Sequence, residues 1–384
     1  MNNKLCLILA IIVMIIETGF GQASRPFPQN VDYSFGVKPK TIMYEDALKT
    51  YNKWKKRYLV SCNINYRVKC EGGDETRVEA IGFGMILTAY FGDKNEFDGL
   101  YDFYLSKLNA KNMMAWNVSC EGINDPGSAT DGDIDVAFSL VVAYNQWGGD
   151  YLEKAKDVIQ AIKNAVITTC NNLLVVAPGY SVESDVGTMW GGCDLTDIQY
   201  YTPAFFRIFA EVSGDNDWNK LADDTYTILN AAAHPETGLV PDWQSVNGTP
   251  GGNSNRIPFF SYDACRVPWR MSLDYLWNGN EQARCWCAKV SDWAYKIGPA
   301  EIRDGYNLDG TKNNLDHHNS AFVGGFAVAA MCNNQEVADA FGTEMTSRKL
   351  RDRHWFSMST RSLYLLPITG NFWKPSVPSE MINK

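Results

Sequence analysis

Ala321-Phe-Val-Gly-Gly-Phe-Ala-Val-Ala-Ala330 contains no polar side chain. Read as a helix it is apolar all round, and such a helix is buried on every side. It is too short to cross a membrane, which takes roughly 20 residues. It therefore calls for a jacket of other helices. Working outward, the same contrast recurs along the chain. Tyr151–Thr169 carries Leu152, Ala155, Val158, Ile159, Ile162 and Val166 on one stripe, the pattern of a surface helix with one buried face. The Lys53–Arg57 stretch marks another charged, outward-facing segment.

Helical patterns are predicted over Tyr44–Tyr58, Glu79–Phe91, Glu96–Asn109, Asp133–Trp147, Tyr151–Thr169, Thr202–Val212 and Trp218–Ala233. They continue over Asp263–Trp277, Glu281–Ile297, Ala321–Cys332, Gln335–Ser347 and Ser362–Leu366. The segments fall into consecutive pairs, the first member amphipathic and the second small and apolar. Six outer and six inner helices predict an all-α closed double ring, an α/α barrel. Val60–Lys69 mixes β-branched, aromatic and polar residues and is expected to form a hairpin edge.

The 384 residues carry 35 Lys and Arg against 44 Asp and Glu, a net charge of −9. That balance argues against non-specific nucleic-acid binding, which needs a basic face. With 45% apolar and 21% charged residues the chain is ordinary globular protein. Aromatics reach 13%, enough to serve the core or to line a cleft for flat, uncharged ligands such as sugars.

Lys4, the apolar run Leu5–Ile16 and the small residues Gly19, Gly21 and Ala23 read as a secretory signal peptide. Residues 1–23 are expected to be removed, leaving 24–384 as one catalytic domain, secreted or periplasmic and free of the membrane. Export permits disulfides. Cys62 and Cys70 could close a short loop, although connectivity cannot be read from sequence. Neither the cysteines nor the four histidines have zinc spacing, so no metal is expected.

Three acids stand at the starts of predicted inner helices. Glu79 lies in Val78-Glu-Ala-Ile-Gly-Phe-Gly-Met85, Asp131 in Ala129-Thr-Asp-Gly-Asp133 and Asp263 in Tyr262-Asp-Ala-Cys-Arg-Val-Pro-Trp-Arg270. In an α/α ring the inner-helix starts gather at one end, so these carboxylates are expected around one cleft. Acids at helix starts also serve as caps; Asp133 and Asp135 read as caps or surface acids. Phe83, Trp116, Trp190, Tyr200, Tyr201, Trp243 and Trp269 stand near the three acids. Carboxylates with ring platforms point to glycoside hydrolysis. One carboxylic acid protonates the departing oxygen while another carboxylate activates water or attacks the sugar.

From about Tyr33-Ser-Phe-Gly36 to Gly370-Asn-Phe372 the chain resembles glycoside hydrolase family 8, in particular its bacterial endo-β-1,4-glucanases. Val78–Met85 is similar to the family's Ser-Glu-Gly-x-Gly-Tyr-Gly-Met, with Val78 and Ala80 replacing the flanking Ser and Gly. Asp197-Ile-Gln-Tyr-Tyr-Thr-Pro203 resembles Asn-Pro-Ser-Tyr-Phe-x-Pro, with Asp197, Ile198 and Gln199 departing from it. The resemblance implies an (α/α)6 barrel and an inverting mechanism. Glu79 would be the general acid and Asp263 the general base, Tyr200 would bond the base and its water, and Asp131 would hold the distorted sugar. It implies substrate-binding roles for Trp116, Trp190, Arg266, Tyr262 and Phe83. Inversion implies carboxyl groups about 6.5–9.5 Å apart. No cofactor is required, the partner is a β-glucan polysaccharide, and a monomer is expected. Other readings keep the acids and change the polymer, to xylan or mixed-linkage glucan, or change the setting, to a periplasmic glucanase assisting cellulose secretion. A sugar-binding module without catalysis is the reading of a different class. Asp263 argues against a chitosanase, whose branch lacks this acid.

Overall fold

The computed structural model describes residues 22–378 apart from 72, 183–187, 255, 314–315 and 351. The expected signal segment through residue 21 lies outside them. Twelve α-helices occur among the described residues: α1 (Tyr44–Tyr58), α2 (Val78–Phe91), α3 (Lys94–Leu105), α4 (Thr130–Trp147), α5 (Tyr151–Val166) and α6 (Pro203–Ser213). They continue with α7 (Asp217–Ala232), α8 (Val267–Asn278), α9 (Glu281–Ile297), α10 (Ser320–Ala330), α11 (Gln335–Met345) and α12 (Trp355–Ile368).

The even-numbered helices form the inner ring. α2 packs on α4, α4 on α6, α6 on α8, α8 on α10, α10 on α12, and α12 returns to α2. The odd-numbered helices surround them, giving an (α/α)6 barrel. α10, the all-apolar segment, is buried along its whole length. The alternation of outer and inner helices is as expected, but the hairpins differ. Each outer helix packs on the inner helix before it, and α1 packs on α12, so the chain's first and last helices close the ring.

The connections explain why one end of the barrel carries the chemistry. Inner-to-outer turns are short: 92–93, 148–150, 214–216, 279–280 and 331–334. Gly92 closes the first of them at φ 82°, a left-handed conformation that glycine adopts without a Cβ clash. Outer-to-inner connections are long and hold all nine described strands. The expected hairpin is β1 (Leu59–Cys62) with β2 (Asn65–Val68).

Several sequence expectations are corrected. The helix read over Tyr151–Thr169 stops at Val166, and Ile167–Cys170 pairs as a strand with Leu173–Val176, because its β-branched Ile-Thr-Thr prolongs the apolar pattern without prolonging the helix. α12 is much longer than Ser362–Leu366. Its buried Ser and Thr residues mask it in sequence, and they bond back to their own helix, Thr360 Oγ1 to Phe356 O at 2.8 Å and Ser362 Oγ to Met358 O at 2.9 Å. Cys62 bonds Cys120, not Cys70, and Cys170 bonds Cys193. Cys62 sits at the tip of the β1–β2 hairpin whereas Cys70 lies past its open end, one residue beyond Lys69, whose N–H donates to Tyr58 O, so the two are a hairpin's length apart. Asp133 and Asp135 are neither caps nor surface acids but fully buried. Asp135 receives a two-pronged bond from Arg270 at 2.5 and 2.8 Å, tying α4 to α8 inside the ring. No helix among the described residues is long and apolar enough to cross a membrane.

Candidate active site

Glu79 lies in the first turn of α2. The segment before it, Thr76–Arg77, pairs antiparallel with Asn117–Val118, and Val78 N–H donates to Trp116 O at 3.1 Å. One strand pair thus sets the acid beside the Trp116 segment. Asp131 lies in the first turn of α4. A Cβ at Gly132 would come within 2.5 Å of Val78 C and 2.7 Å of Glu79 N. Only glycine there lets the starts of α2 and α4 approach and bring Glu79 next to Asp131. Asp263 precedes a short 3₁₀ turn, Ala264–Arg266, that runs into α8. Asp242 Oδ1 accepts from Ser261 N–H at 2.7 Å and Ala264 N–H at 2.8 Å, holding the loop on both sides of Asp263.

Arg266 joins the three acids. Its Nη1 donates to Glu79 Oε1 and, at 3.0 Å, to Asp131 Oδ2; its Nη2 donates to Asp263 Oδ1 at 2.8 Å. Its side chain is only 3% exposed. Asp131 Oδ2 also accepts from Gln199 Nε2 at 3.0 Å, and Asp263 Oδ2 from Trp243 Nε1 at 3.0 Å. The three acids expected in one cleft are brought together, and none acts as a side-chain cap.

Burial is the largest influence on the carboxyl groups of the site. Burial pushes Glu79 up to about 7; Arg266 opposes this, and Asp131 and Asp263 reinforce it. Burial therefore outweighs the guanidinium, and Glu79 can hold a proton near neutral pH. Asp263 is raised by burial, with Arg266 and Trp243 pulling it back down. Burial raises Asp197 and Asp242 well above the carboxylate range, and Asp263 adds to both. Burial works against the charge on Arg266, but Glu79, Asp131, Asp263 and Asp197 outweigh it and strengthen its hold on its proton. A carboxyl group raised to about 7 suits the donor of a proton.

Beside the acids runs a cleft of about 590 Å³, lined by Trp116, Tyr180, Trp190, Tyr200, Trp243 and Arg256, among others. The Trp190 and Trp243 rings meet edge to face at 5.5 Å, and the Arg256 guanidinium lies 4.8 Å and 5.1 Å from their centroids. Flat rings beside carboxyl groups suit the apolar faces and the hydroxyls of sugars.

The other candidates divide. Trp116, Trp190 and Tyr200 line the cleft. The described hydrogen bonds of Asp263 come from Trp243 and Arg266; Tyr200 stands among Asp131, Asp197 and Asp263, which with burial raise its hydroxyl well above the usual range. Tyr262 is partly exposed, and its hydroxyl donates to Asp304 at 2.6 Å. Phe83 does not line the cleft. It is fully buried one helical turn below Glu79, near Phe356 in the barrel interior. Trp269 and Tyr201 are also buried, the latter bonded by Val176 N–H at 3.1 Å. Gln199 and Asp242 have no counterpart among the candidates from sequence. The only signal was position, Gln199 beside Tyr200 and Asp242 beside Trp243.

Residues 34–365 match Glycosyl hydrolases family 8. Over 382 residues the chain is 33% identical to Endoglucanase 2 of Ruminiclostridium josui, covering 94% of this chain and 80% of that protein. It is 29% identical to the Beta-glucanase of Niallia circulans, with 95% of each covered. The structure is similar to that of a β-1,3-1,4-glucanase from Paenibacillus sp. X4, with a TM-score of 0.79 and 27% identity over 92% of this chain and all of that one. Barrel, site and sequence agree: the chain belongs to glycosyl hydrolases family 8.

Proposed function

We propose that this glycoside hydrolase cleaves β-1,4-glucosidic bonds within cellulose-type glucan chains, with inversion. The observation that carries the reading is the bridge from one buried arginine, Arg266, to Glu79, Asp131 and Asp263 beside an aromatic cleft. Glu79, raised to about 7 and so able to carry a proton near neutral pH, protonates the glycosidic oxygen. Asp263 deprotonates a water that attacks from the opposite ring face, with Tyr200 beside it. Asp131, held by Arg266 and Gln199, accepts hydroxyls of the distorted sugar, where hydrogen bonds strengthen in the transition state. Trp116 and Trp190 carry sugar faces along the cleft. Proton transfer and positioning account for the chemistry without a cofactor. The protein works as a secreted or periplasmic monomer once residues 1–23 are removed.

A second reading, mixed-linkage β-glucan, is favoured by the likeness to the Paenibacillus β-1,3-1,4-glucanase. The test is NMR of fresh products from a defined cello-oligosaccharide, with xylo-oligosaccharide and barley glucan in parallel. Fresh α-anomers from the cello-chain are expected. Fresh β-anomers would overturn inversion. Cleavage of barley glucan or xylan alone would move the substrate to that polymer.

A further inference from the structure

Gln199 is fully buried and held at both ends of its reach. Its backbone N–H donates to Asp197 Oδ1 at 2.9 Å, which fixes the short turn Ile198–Tyr200. Its Nε2 donates to Asp131 Oδ2 at 3.0 Å, across 68 positions of sequence. That same oxygen receives Arg266 Nη1, also at 3.0 Å, and Arg266 Nη1 is shared with Glu79 Oε1. Asp131 and Glu79 therefore share one nitrogen, which carries two N–H groups, and a shift of Arg266 toward one acid draws it away from the other.

The balance of this sharing changes during the reaction proposed above, on which this inference rests. Glu79 begins as a neutral acid and becomes a carboxylate when its proton passes to the leaving oxygen. A carboxylate attracts a guanidinium far more strongly than a neutral acid does. At that moment Arg266 Nη1 is drawn toward Glu79 and away from Asp131. The amide of Gln199 carries no charge, so its bond to Asp131 does not answer to Glu79. We infer that Gln199 is a positioning residue that keeps Asp131 on the sugar while Arg266 follows the charge on Glu79.

The charged and titratable groups acting on Glu79 are Arg266, Asp131, Asp263 and Arg77; those around Asp131 include Arg266, Asp133, Asp135 and Tyr200. Among the described hydrogen bonds Asp131 Oδ2 accepts from Arg266 and Gln199, so Gln199 is its uncharged donor, while Gly132 N–H donates to the other oxygen, Oδ1, at 3.0 Å. Removal of Gln199 leaves Arg266 as the described donor to Asp131 Oδ2, which draws Arg266 toward Asp131 and weakens its hold on the Glu79 carboxylate.

The test is Gln199→Met, close in length but without the N–H. On a cello-oligosaccharide kcat is expected to fall about tenfold to a hundredfold, as for loss of a hydrogen bond to a charged group. KM should change far less. The alkaline limb of the pH profile should move to higher pH, because the Glu79 carboxylate loses support. In an Asp131→Ala background, Gln199→Met should add little further loss. Additive losses, or an unmoved alkaline limb, would overturn the inference. Gln199→Glu guards against misfolding: its deficit should shrink as pH falls and the new carboxyl protonates into a donor. A deficit constant with pH would equally sink the idea. Wild-type turnover with a normal Gln199→Met removes only this inference; a wild type inactive on every β-glucan and xylan removes the proposed function and this inference with it.

Discussion

Trp243 donates its indole N–H to Asp263 Oδ2 over 3.0 Å, so one residue is both a wall of the cleft and a partner of the proposed base. The bond favours the ionised form of Asp263. In Trp243→Phe that support is lost and the Asp263 pKa rises. A base works only when ionised, so the acid limb of kcat/KM should move to higher pH. A ring that served stacking alone would change KM and leave the limb in place. Initial rates between pH 4 and 9 distinguish the two.

Glu79→Gln and Asp263→Asn should each lose about 10²–10⁴-fold in kcat and still fold. In the wild type the alkaline limb should lie near pH 7, where Glu79 loses its proton. The same shift predicts a stability effect. The Glu79 pKa is raised from the ordinary 4.5 to about 7 in the folded protein, so its contribution is fully present below pH 4.5 and is lost as pH rises through 7. Glu79→Gln should therefore melt at least as high as wild type at pH 8. Calorimetry at pH 5 and 8 checks this; a lower melting temperature at pH 8 would show that the bond to Arg266 outweighs burial.

Arg266→Met leaves three neighbouring carboxyl groups with no shared countercharge. Breaking a buried ionic cluster from one side costs about 3–5 kcal/mol. The Glu79 and Asp263 pKa values then rise further above their unfolded values, so the deficit should be largest at pH 8 and shrink toward pH 4, where these acids are protonated. Denaturant unfolding at the two pH values measures it. An equal deficit at both would assign Arg266 to packing rather than charge.

Cys170–Cys193 ties the Ile167–Cys170 strand to the loop just after Trp190. Releasing it in Cys170→Ser/Cys193→Ser should raise KM for cello-oligosaccharides, because the stacking ring is less well held, with kcat changed less. Removal of a native disulfide also costs about 2–5 kcal/mol of stability. Steady-state kinetics and thermal melts of the double variant give both readouts; an unchanged KM would separate the bridge from the cleft.

Local patterning made much of this protein legible before any folding. Helical periodicity separates amphipathic Tyr151–Thr169 from all-apolar Ala321–Ala330, and that contrast alone calls for an outer and an inner ring. The placement of Glu79, Asp131 and Asp263 at inner-helix starts follows from the same count, since the long connections of such a ring gather at one end. Tertiary structure decided the rest, because it depends on which distant segments meet. Phe83 shares a helix with Glu79, and only ring closure buries it below the cleft. Asp133 and Asp135 read as polar surface until Tyr104 and Arg270 arrive from other helices to bond them inside the core. Cys62 finds Cys120 because the hairpin carries Cys70 to its far end. Gln199 meets Asp131, and Trp243 meets Asp263, through contacts no spacing rule encodes. A side chain's chemistry is written in its type, but its charge state and partners are set by burial and by neighbours supplied from elsewhere in the chain.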